Sequence, residues 1–145
     1  MLYEFARPFL FALDAETAHD LTLTSLRTAH ALHLPVACAF RFQDLFDNRH
    51  PNYAGDVGVG VNPILAERIR TADVLLAVGP RLGEMTTSGY TLLDSPVPRQ
   101  KLVHVMAGPE ELGRVYQAEI PILAGMGRFA RAVRAMAPVD ASGWK

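Results

Sequence analysis

The spacing of apolar residues along the chain changes at Pro35. Before it, helical spacing predicts a short amphipathic helix over residues 2–13, bent by Pro8, and a second helix that Asp14 caps and that runs to about residue 33. After it, short apolar runs alternate with turns and helices. The runs read VACAF, DVGVGV, VLLAV, LVHVM and IPILA.

Helix signals lie between these runs. Asn62 followed by Pro63 predicts a helix start, Pro109 with two early glutamates predicts another, and a last helix is expected over about 126–136. Strands that alternate with helices form a parallel sheet covered on both faces. The pattern therefore predicts an α/β fold: a Rossmann-like doubly wound parallel sheet of about five strands, preceded by two N-terminal helices.

Composition narrows the classes of function. The 145 residues suit one domain, and 14 basic against 15 acidic side chains leave a formal charge of −1, which gives no general attraction for nucleic acid. The single cysteine, Cys38, excludes an internal disulfide and fits the cytoplasm. No apolar stretch approaches the roughly 18 residues of a spanning helix, so we expect no transmembrane segment.

Two glycine-rich turns are candidates for binding a phosphate group. VLLAVGPRLGEMTTSGY passes from an apolar run into a loop with Gly79 and Arg81, and GDVGVG holds Gly58 and Gly60. Backbone N–H groups after a buried strand bind phosphates in open α/β sheets. The second turn lacks the G-x-G-x-x-G order and no clear strand precedes it, so close backbone packing is the competing interpretation.

Catalytic and metal-binding patterns are weak. The five histidines lack the spacing and the carboxylate neighbours of a metal site, and structural or exposed roles are expected for them. Polar residues near the first loop do not complete a nucleophile, base and orienting group. They are Glu84, Thr86, Thr87 and Ser88. The sequence therefore predicts no catalytic residue and no metal ligand.

Residues 34–136 resemble a known family. The ordered series LPVACAF, GDVGVGVNP, ADVLLAVGPR, KLVHVMAGPEELGRVY and IPILAG is similar to the central domain of thiamine-diphosphate-dependent enzymes of the acetolactate synthase type. The resemblance implies a doubly wound parallel sheet of about six strands, over 35–137 here, with 138–145 as a tail. It also implies, for the parent enzymes, a catalytic dependence on thiamine diphosphate and Mg²⁺, which two other domains bind.

The resemblance is incomplete. The activating glutamate and the Gly-Asp-Gly…Asn segment, which bind the cofactor and magnesium in that family, do not occur in this sequence. The family's first central-domain strand is also not recognisable, and the Asp14-capped helix stands in its place. We therefore expect no thiamine cofactor in the isolated chain.

Residues 1–34 resemble a different family. LDAETAH, within MLYEFARPFLFALDAETAHDL, is similar to the opening of class 2, quinone-linked dihydroorotate dehydrogenases, where two helices form a membrane-facing lid. The family's quinone-side histidine corresponds to His19, for which an ordinary helix histidine is the competing interpretation. The chain is therefore interpreted as a composite that joins near residue 34, whether a natural fusion, a gene remnant or an engineered chimera.

FAD is a further cofactor that the resemblance raises. In flavin-containing relatives the arginine of the G-x-R turn, here Arg81 after Gly79, contacts the nucleotide, but the acidic residue expected after the next strand is replaced by Met106. The loss of a charge-assisted hydrogen bond disfavours bound FAD.

Three functions remain at this stage. A structural central domain without its own catalytic residues is the first, and a small nucleotide- or FAD-binding module that uses Gly58, Gly60, Gly79 and Arg81 is the alternative. A membrane- or quinone-associated segment is the third. We also expect homo-oligomers or contacts with other domains of a thiamine-diphosphate enzyme. The N-terminal cluster that includes Phe5 and Phe9, and the loop around Phe42 and Phe46, predict exposed apolar surface.

Overall fold

The computed structural model describes residues 34–136. The strands are β1 (Val36–Ala39), β2 (Tyr53–Val57), β3 (Val74–Val78), β4 (Lys101–Met106) and β5 (Ile120–Leu123). The helices are α1 (Pro63–Thr71) and α2 (Met126–Arg134), and two short 3₁₀ turns span Gln43–Leu45 and Pro109–Glu111. The predicted N-terminal helices, His19 and the tail lie outside the described residues.

All strand pairs among the described residues are parallel. β1 pairs with β2 in one sheet, and a second sheet has the order β3-β4-β5. The predicted α/β class with about five parallel strands is confirmed. The strands form two pieces, however, and the described residues provide no strand that joins them.

Four of the five apolar runs coincide with strands, and the fifth was placed wrongly. The strand predicted at DVGVGV, residues 56–61, is observed at Tyr53–Val57. It therefore begins before that run and ends at the run's second residue. Gly58 and Gly60 have φ values of 156° and 74°, which turn the chain out of an extended conformation. A strand therefore does precede this glycine turn, contrary to the expectation.

Helix α1 begins where the sequence predicts. The Asn62 side chain accepts a 2.8 Å hydrogen bond from the Ile64 N–H, and Pro63 takes the first helical position. At the other end, the Gln100 side chain donates to the carbonyls of Ile69 and Arg70 at 2.9 and 2.8 Å. Both ends of the helix are thus tied down by side chains.

The second helix signal produces only a single 3₁₀ turn. Pro109 opens this turn as expected, but the chain leaves it after Glu111, and Gly113 has a φ of 78°. The expected helix there is wrong because the left-handed glycine stops propagation after one turn.

The core lies mainly on one face of the three-stranded sheet. Leu102 and Ala77 on neighbouring strands pack with Leu93 and Tyr116 from the connections, and Ile69 of α1 joins them. A smaller cluster joins Val36 and Cys38 of β1 to Phe46 and Tyr53. The expectation of an exposed Phe46 is therefore wrong, since it is buried in that cluster, whereas Phe42 is 53% exposed.

No helix among the described residues is long and apolar enough to cross a membrane.

Candidate functional site

A cleft of about 220 Å³ lies at the carboxyl ends of β3 and β4. The loop after β3 and the loop after β4 form its walls, as expected for a site in an open α/β sheet. The lining residues are Arg81, Leu82, Gly83, Glu84, Tyr90, His104, Glu111, Arg114, Val115 and Tyr116.

Glu111 is the centre of the cleft's charge network. Its Oε1 lies 2.6 Å from Nη2 of Arg81 and 3.0 Å from Nη1 of Arg114. The Glu111 side chain is only 6% exposed, whereas the side chains of Arg81 and Arg114 are 68% and 60% exposed. A buried carboxylate needs such partners because ionised groups are costly to remove from water. The network therefore holds the loops after β3 and β4 together.

His104 makes a second link, which joins strand β4 to the loop after β3. It lies on β4 with 2% of its surface exposed, and its Nε2 is 3.1 Å from the Pro80 carbonyl oxygen. At His104, the histidine therefore has the structural role that the sequence predicted. Among residues 34–136, no group of three or more His, Cys, Asp or Glu side chains is placed to hold a metal ion.

One buried polar group in the cleft has no hydrogen-bond partner among the described residues. Tyr116 is 2% exposed, and its hydroxyl oxygen contacts no donor or acceptor there. Buried hydroxyls are normally bonded to protein or water. The Tyr116 hydroxyl is therefore the group in this cleft most ready to bind a water or a polar ligand.

The size and charge of the cleft limit what it can hold. Ligand pockets usually measure about 300–1,000 Å³, which is more than this cleft provides. The four ionisable chains Arg81, Arg114, Glu84 and Glu111 sum to zero formal charge. The cleft therefore has no net formal charge, and its two arginines are shared with the buried carboxylate.

Gly79 packs tightly against the start of α2. It has a φ of 82°, and a Cβ built on it would lie 2.9 Å from Sδ of Met126. Its N–H donates a 2.8 Å hydrogen bond to the Val105 carbonyl. This predicted phosphate ligand therefore has its donor occupied by the neighbouring strand.

Gly58 and Gly60 lie apart from the cleft in sequence and in sheet, because they follow β2 rather than β3 or β4. A Cβ built on Gly58 would lie 2.7 Å from Cβ of Phe40, so close packing requires glycine there. Gly60 meets nothing within 4 Å. Of the four predicted ligands, Arg81 is the one that lines the cleft.

The hydroxyl-bearing part of the loop after β3 stabilises its own conformation. Thr87 is 1% exposed, and its Oγ1 donates to the Gly83 carbonyl at 2.9 Å. Ser88 and Tyr90 adopt left-handed φ values of 51° and 63°. Such non-glycine conformations cost energy and persist where the surroundings impose them.

Sequence reasoning missed Glu111, Arg114 and Tyr116 as members of the site. The i, i+3 spacing of Glu111 and Arg114 was a usable signal for an ion pair. The contact of Glu111 with Arg81 depends on the pairing of β3 with β4, which brings together residues about thirty positions apart in the chain. No sequence pattern pointed to Tyr116 as a site residue.

Comparison with known proteins gives a consistent result over most of the chain. Residues 1–133 match the family described as thiamine pyrophosphate enzyme, central domain. A sulfoacetaldehyde acetyltransferase of Roseovarius nubinhibens is 30% identical over 107 residues, which are 74% of this chain and 18% of that protein. A probable acetolactate synthase large subunit of Methanocaldococcus jannaschii is 26% identical over 123 residues, 85% of this chain and 20% of that protein.

A second group of relatives matches shorter stretches. A quinone-type dihydroorotate dehydrogenase of Azoarcus sp. is 69% identical over 29 residues, which are 20% of this chain and 9% of that protein. The chain spans about a fifth of the length of the acetyltransferase and synthase relatives.

Proposed function

The chain belongs to the family of thiamine pyrophosphate enzyme central domains, and we propose that it serves as a structural central domain without catalytic residues of its own. The observation that carries this proposal is the set of contacts of Glu111, the most buried carboxylate of the cleft: its Oε1 accepts a hydrogen bond from Arg114 and forms an ion pair with Arg81. Glu111 is therefore engaged in joining the loops after β3 and β4.

The rest of the cleft supports the same proposal. The Gly79 N–H is bonded to β4, His104 faces the Pro80 carbonyl, and the Thr87 hydroxyl bonds within its own loop. These groups stabilise the turn after β3. The cleft at the ends of β3 and β4 is also smaller than the roughly 300–1,000 Å³ of usual ligand pockets.

We propose that cofactor domains act in trans or as other parts of a larger assembly, with this chain as a spacer between them. Homo-oligomers and a cytoplasmic location belong to the same proposal. The free thiol of Cys38 is buried, which suits a reducing compartment.

Isothermal titration of the 145-residue protein with thiamine diphosphate and Mg²⁺ tests this function. The proposal predicts no saturable heat at millimolar cofactor. Saturable binding with a 1:1 stoichiometry would contradict it, because a structural central domain holds no diphosphate–metal site.

A second candidate function rests on the Tyr116 hydroxyl. A small anion in the cleft would find this unpartnered donor together with the outward N–H groups of Arg81 and Arg114, which are largely exposed. The ligand class would be a phosphate or pyrophosphate group rather than a whole FAD, because the cleft measures only about 220 Å³.

Titration with inorganic pyrophosphate separates the two functions. Binding that Tyr116→Phe and Arg81→Ala each weaken at least ~10-fold, and that Arg49→Ala leaves unchanged, would favour the anion site. Arg49 is the matched control because it pairs with Asp47 on the surface, away from the cleft. The structural proposal predicts no binding by any of these proteins.

A further inference from the structure

Three consecutive residues in the loop after β3 have left-handed backbones. Ser88, Gly89 and Tyr90 have φ values of 51°, 68° and 63°. Glycine adopts this conformation readily, whereas residues with a side chain are disfavoured in it and usually adopt it singly. Residues 88–90, the left-handed turn, are therefore strained at two of their three positions.

The same turn contains a buried polar group without a partner. The Ser88 hydroxyl oxygen is buried and forms no hydrogen bond among residues 34–136. A buried hydroxyl that is left unbonded destabilises the conformation that buries it. A conformation that exposed this hydroxyl to water would satisfy it and would also relieve the left-handed strain. Two independent features thus favour a second conformation of the turn.

The residues on either side of the left-handed turn are anchored. Thr87 is 1% exposed, and its hydroxyl bonds to the backbone of its own loop. Leu92 is 4% exposed, and its N–H donates a 3.0 Å hydrogen bond to the Thr87 carbonyl. Leu93 packs in the core of the three-stranded sheet. A change of conformation can therefore be confined to residues 88–91.

The left-handed turn places Tyr90 in the wall of the cleft. Tyr90 and Tyr116 line the same cleft, but Tyr90 is 44% exposed and Tyr116 is 2% exposed. Arg81 and Arg114 in the same wall are fixed by their contacts with Glu111. No hydrogen bond holds the Tyr90 side chain within the described part of the chain. Tyr90 is therefore the wall residue that a change in the turn would move.

We propose that the left-handed turn is a gate that controls access to the Tyr116 hydroxyl. In the closed conformation, Tyr90 stands in the wall of a cleft of about 220 Å³. In the open conformation, residues 88–91 leave the left-handed region, Tyr90 moves out of the wall, and water or a small polar ligand reaches Tyr116. Usual ligand pockets exceed roughly 300 Å³, and opening brings the cleft closer to that size. This inference does not depend on whether the chain is purely structural or binds an anion.

Nitration of tyrosine by tetranitromethane tests the gate. The full 145-residue protein is treated to low conversion, and tandem mass spectrometry gives the initial rate at each tyrosine. Tyr116 reacts only when its ring is accessible, so its rate measures the population of the open conformation. Tyr53, which lies in the other sheet, reports within the same sample on changes elsewhere in the fold.

Gly89→Ala and Gly60→Ala form a matched pair. Both glycines have a left-handed φ, and a Cβ built on either one meets nothing within 4 Å. Alanine therefore adds backbone strain without a steric clash at both positions, but only position 89 lies in the left-handed turn. We expect Gly89→Ala to accelerate Tyr116 nitration about 5-fold, and Gly60→Ala to leave that rate unchanged.

Ser88→Gly shifts the equilibrium in the opposite direction. Glycine removes both the left-handed strain and the unbonded hydroxyl, so the closed conformation becomes more stable. Tyr116 nitration should slow about 5-fold, with no change at Tyr53. Because this variant relieves strain, it tests the gate even where Gly89→Ala fails to fold. Equal Tyr116 rates in the Gly89→Ala and Gly60→Ala proteins, or an unchanged or faster rate in Ser88→Gly, would overturn the proposal.

Discussion

Arg81 and Glu111 are joined at 2.6 Å between the guanidinium Nη2 and the carboxylate Oε1, and this contact connects the loops that follow two neighbouring strands. Arg114 shares the same oxygen from within the second loop. Glu111 is buried, whereas both arginines are mostly exposed. Removal of an arginine therefore changes the protein mainly by taking an ion-pair partner from the buried carboxylate.

Removal of both arginines should therefore destabilise the protein more than the sum of the single changes. Arg81→Ala or Arg114→Ala leaves Glu111 one partner and should lower the free energy of unfolding by about 1 kcal/mol. The double variant leaves a buried carboxylate unpaired and should lose about 3–5 kcal/mol. Urea denaturation measures these changes.

Glu111→Gln on the double-variant background provides the control, because it removes the buried charge and should restore part of the stability. Arg49→Ala, in the exposed Asp47–Arg49 pair, should change it by less than about 0.5 kcal/mol. Additive arginine effects, with no rescue by Glu111→Gln, would contradict the role assigned to this network.

Gly79 and Gly60 should respond differently to the same substitution. Both have a left-handed φ, so alanine costs about 1 kcal/mol at either position. At Gly79 the new Cβ would also lie 2.9 Å from the Met126 sulfur, whereas at Gly60 it would meet nothing within 4 Å. Gly79→Ala should therefore be about 1–2 kcal/mol more destabilising than Gly60→Ala.

Thermal unfolding compares the two glycine variants. Met126→Ala combined with Gly79→Ala should remove the steric part of the cost, since the sulfur is then absent. Equal effects at the two positions would show that Gly79 is not packed against α2 as described.

The Cys38 thiol should make the protein less stable at alkaline pH. Burial, followed by the nearby Asp56 and Asp44 charges, raises the pKa of Cys38 above its ordinary value. A group with a raised pKa in the folded state contributes its full stability below the ordinary thiol pKa of about 8.5 and loses it as the pH rises towards the folded value. The free energy of unfolding should therefore decline between pH 8 and pH 10.

Cys38→Ala is the comparison for this decline. Its free energy of unfolding should depend less on pH over the same interval, although the raised pKa of Tyr53 contributes in the same direction near the top of that range. The native thiol should also react slowly with iodoacetamide at pH 8. The same pH dependence in both proteins would exclude Cys38 as its source.

The sequence predicted the elements better than their assembly. VLLAV and Asn62–Pro63 determine a strand and a helix start locally, and both lie where the pattern placed them. The helix expected at Pro109 was wrong because Gly113, four residues later, ends it with a left-handed φ. Phe46 was expected to be exposed because its burial depends on Val36 and Cys38, which are brought to it by strand pairing.

The same distinction explains the site. Arg81 follows a strand directly, and its position at the sheet edge could be predicted from that fact. Its partner Glu111 comes from the loop after a different strand, so the ion pair depends on the parallel register of Val74–Val78 with Lys101–Val105. No pattern within either loop specifies that meeting.

A thiamine pyrophosphate enzyme central domain without catalytic residues of its own should not catalyse by itself. An activity assay checks this: the purified 145-residue protein is incubated with thiamine diphosphate, Mg²⁺ and pyruvate, with and without sulfoacetaldehyde, and product formation is measured against the cofactor alone. We expect a rate equal to that of the cofactor alone. A rate that exceeds it in proportion to protein concentration, and that co-purifies with the chain through two separate chromatographic steps, would contradict the structural role proposed for this protein.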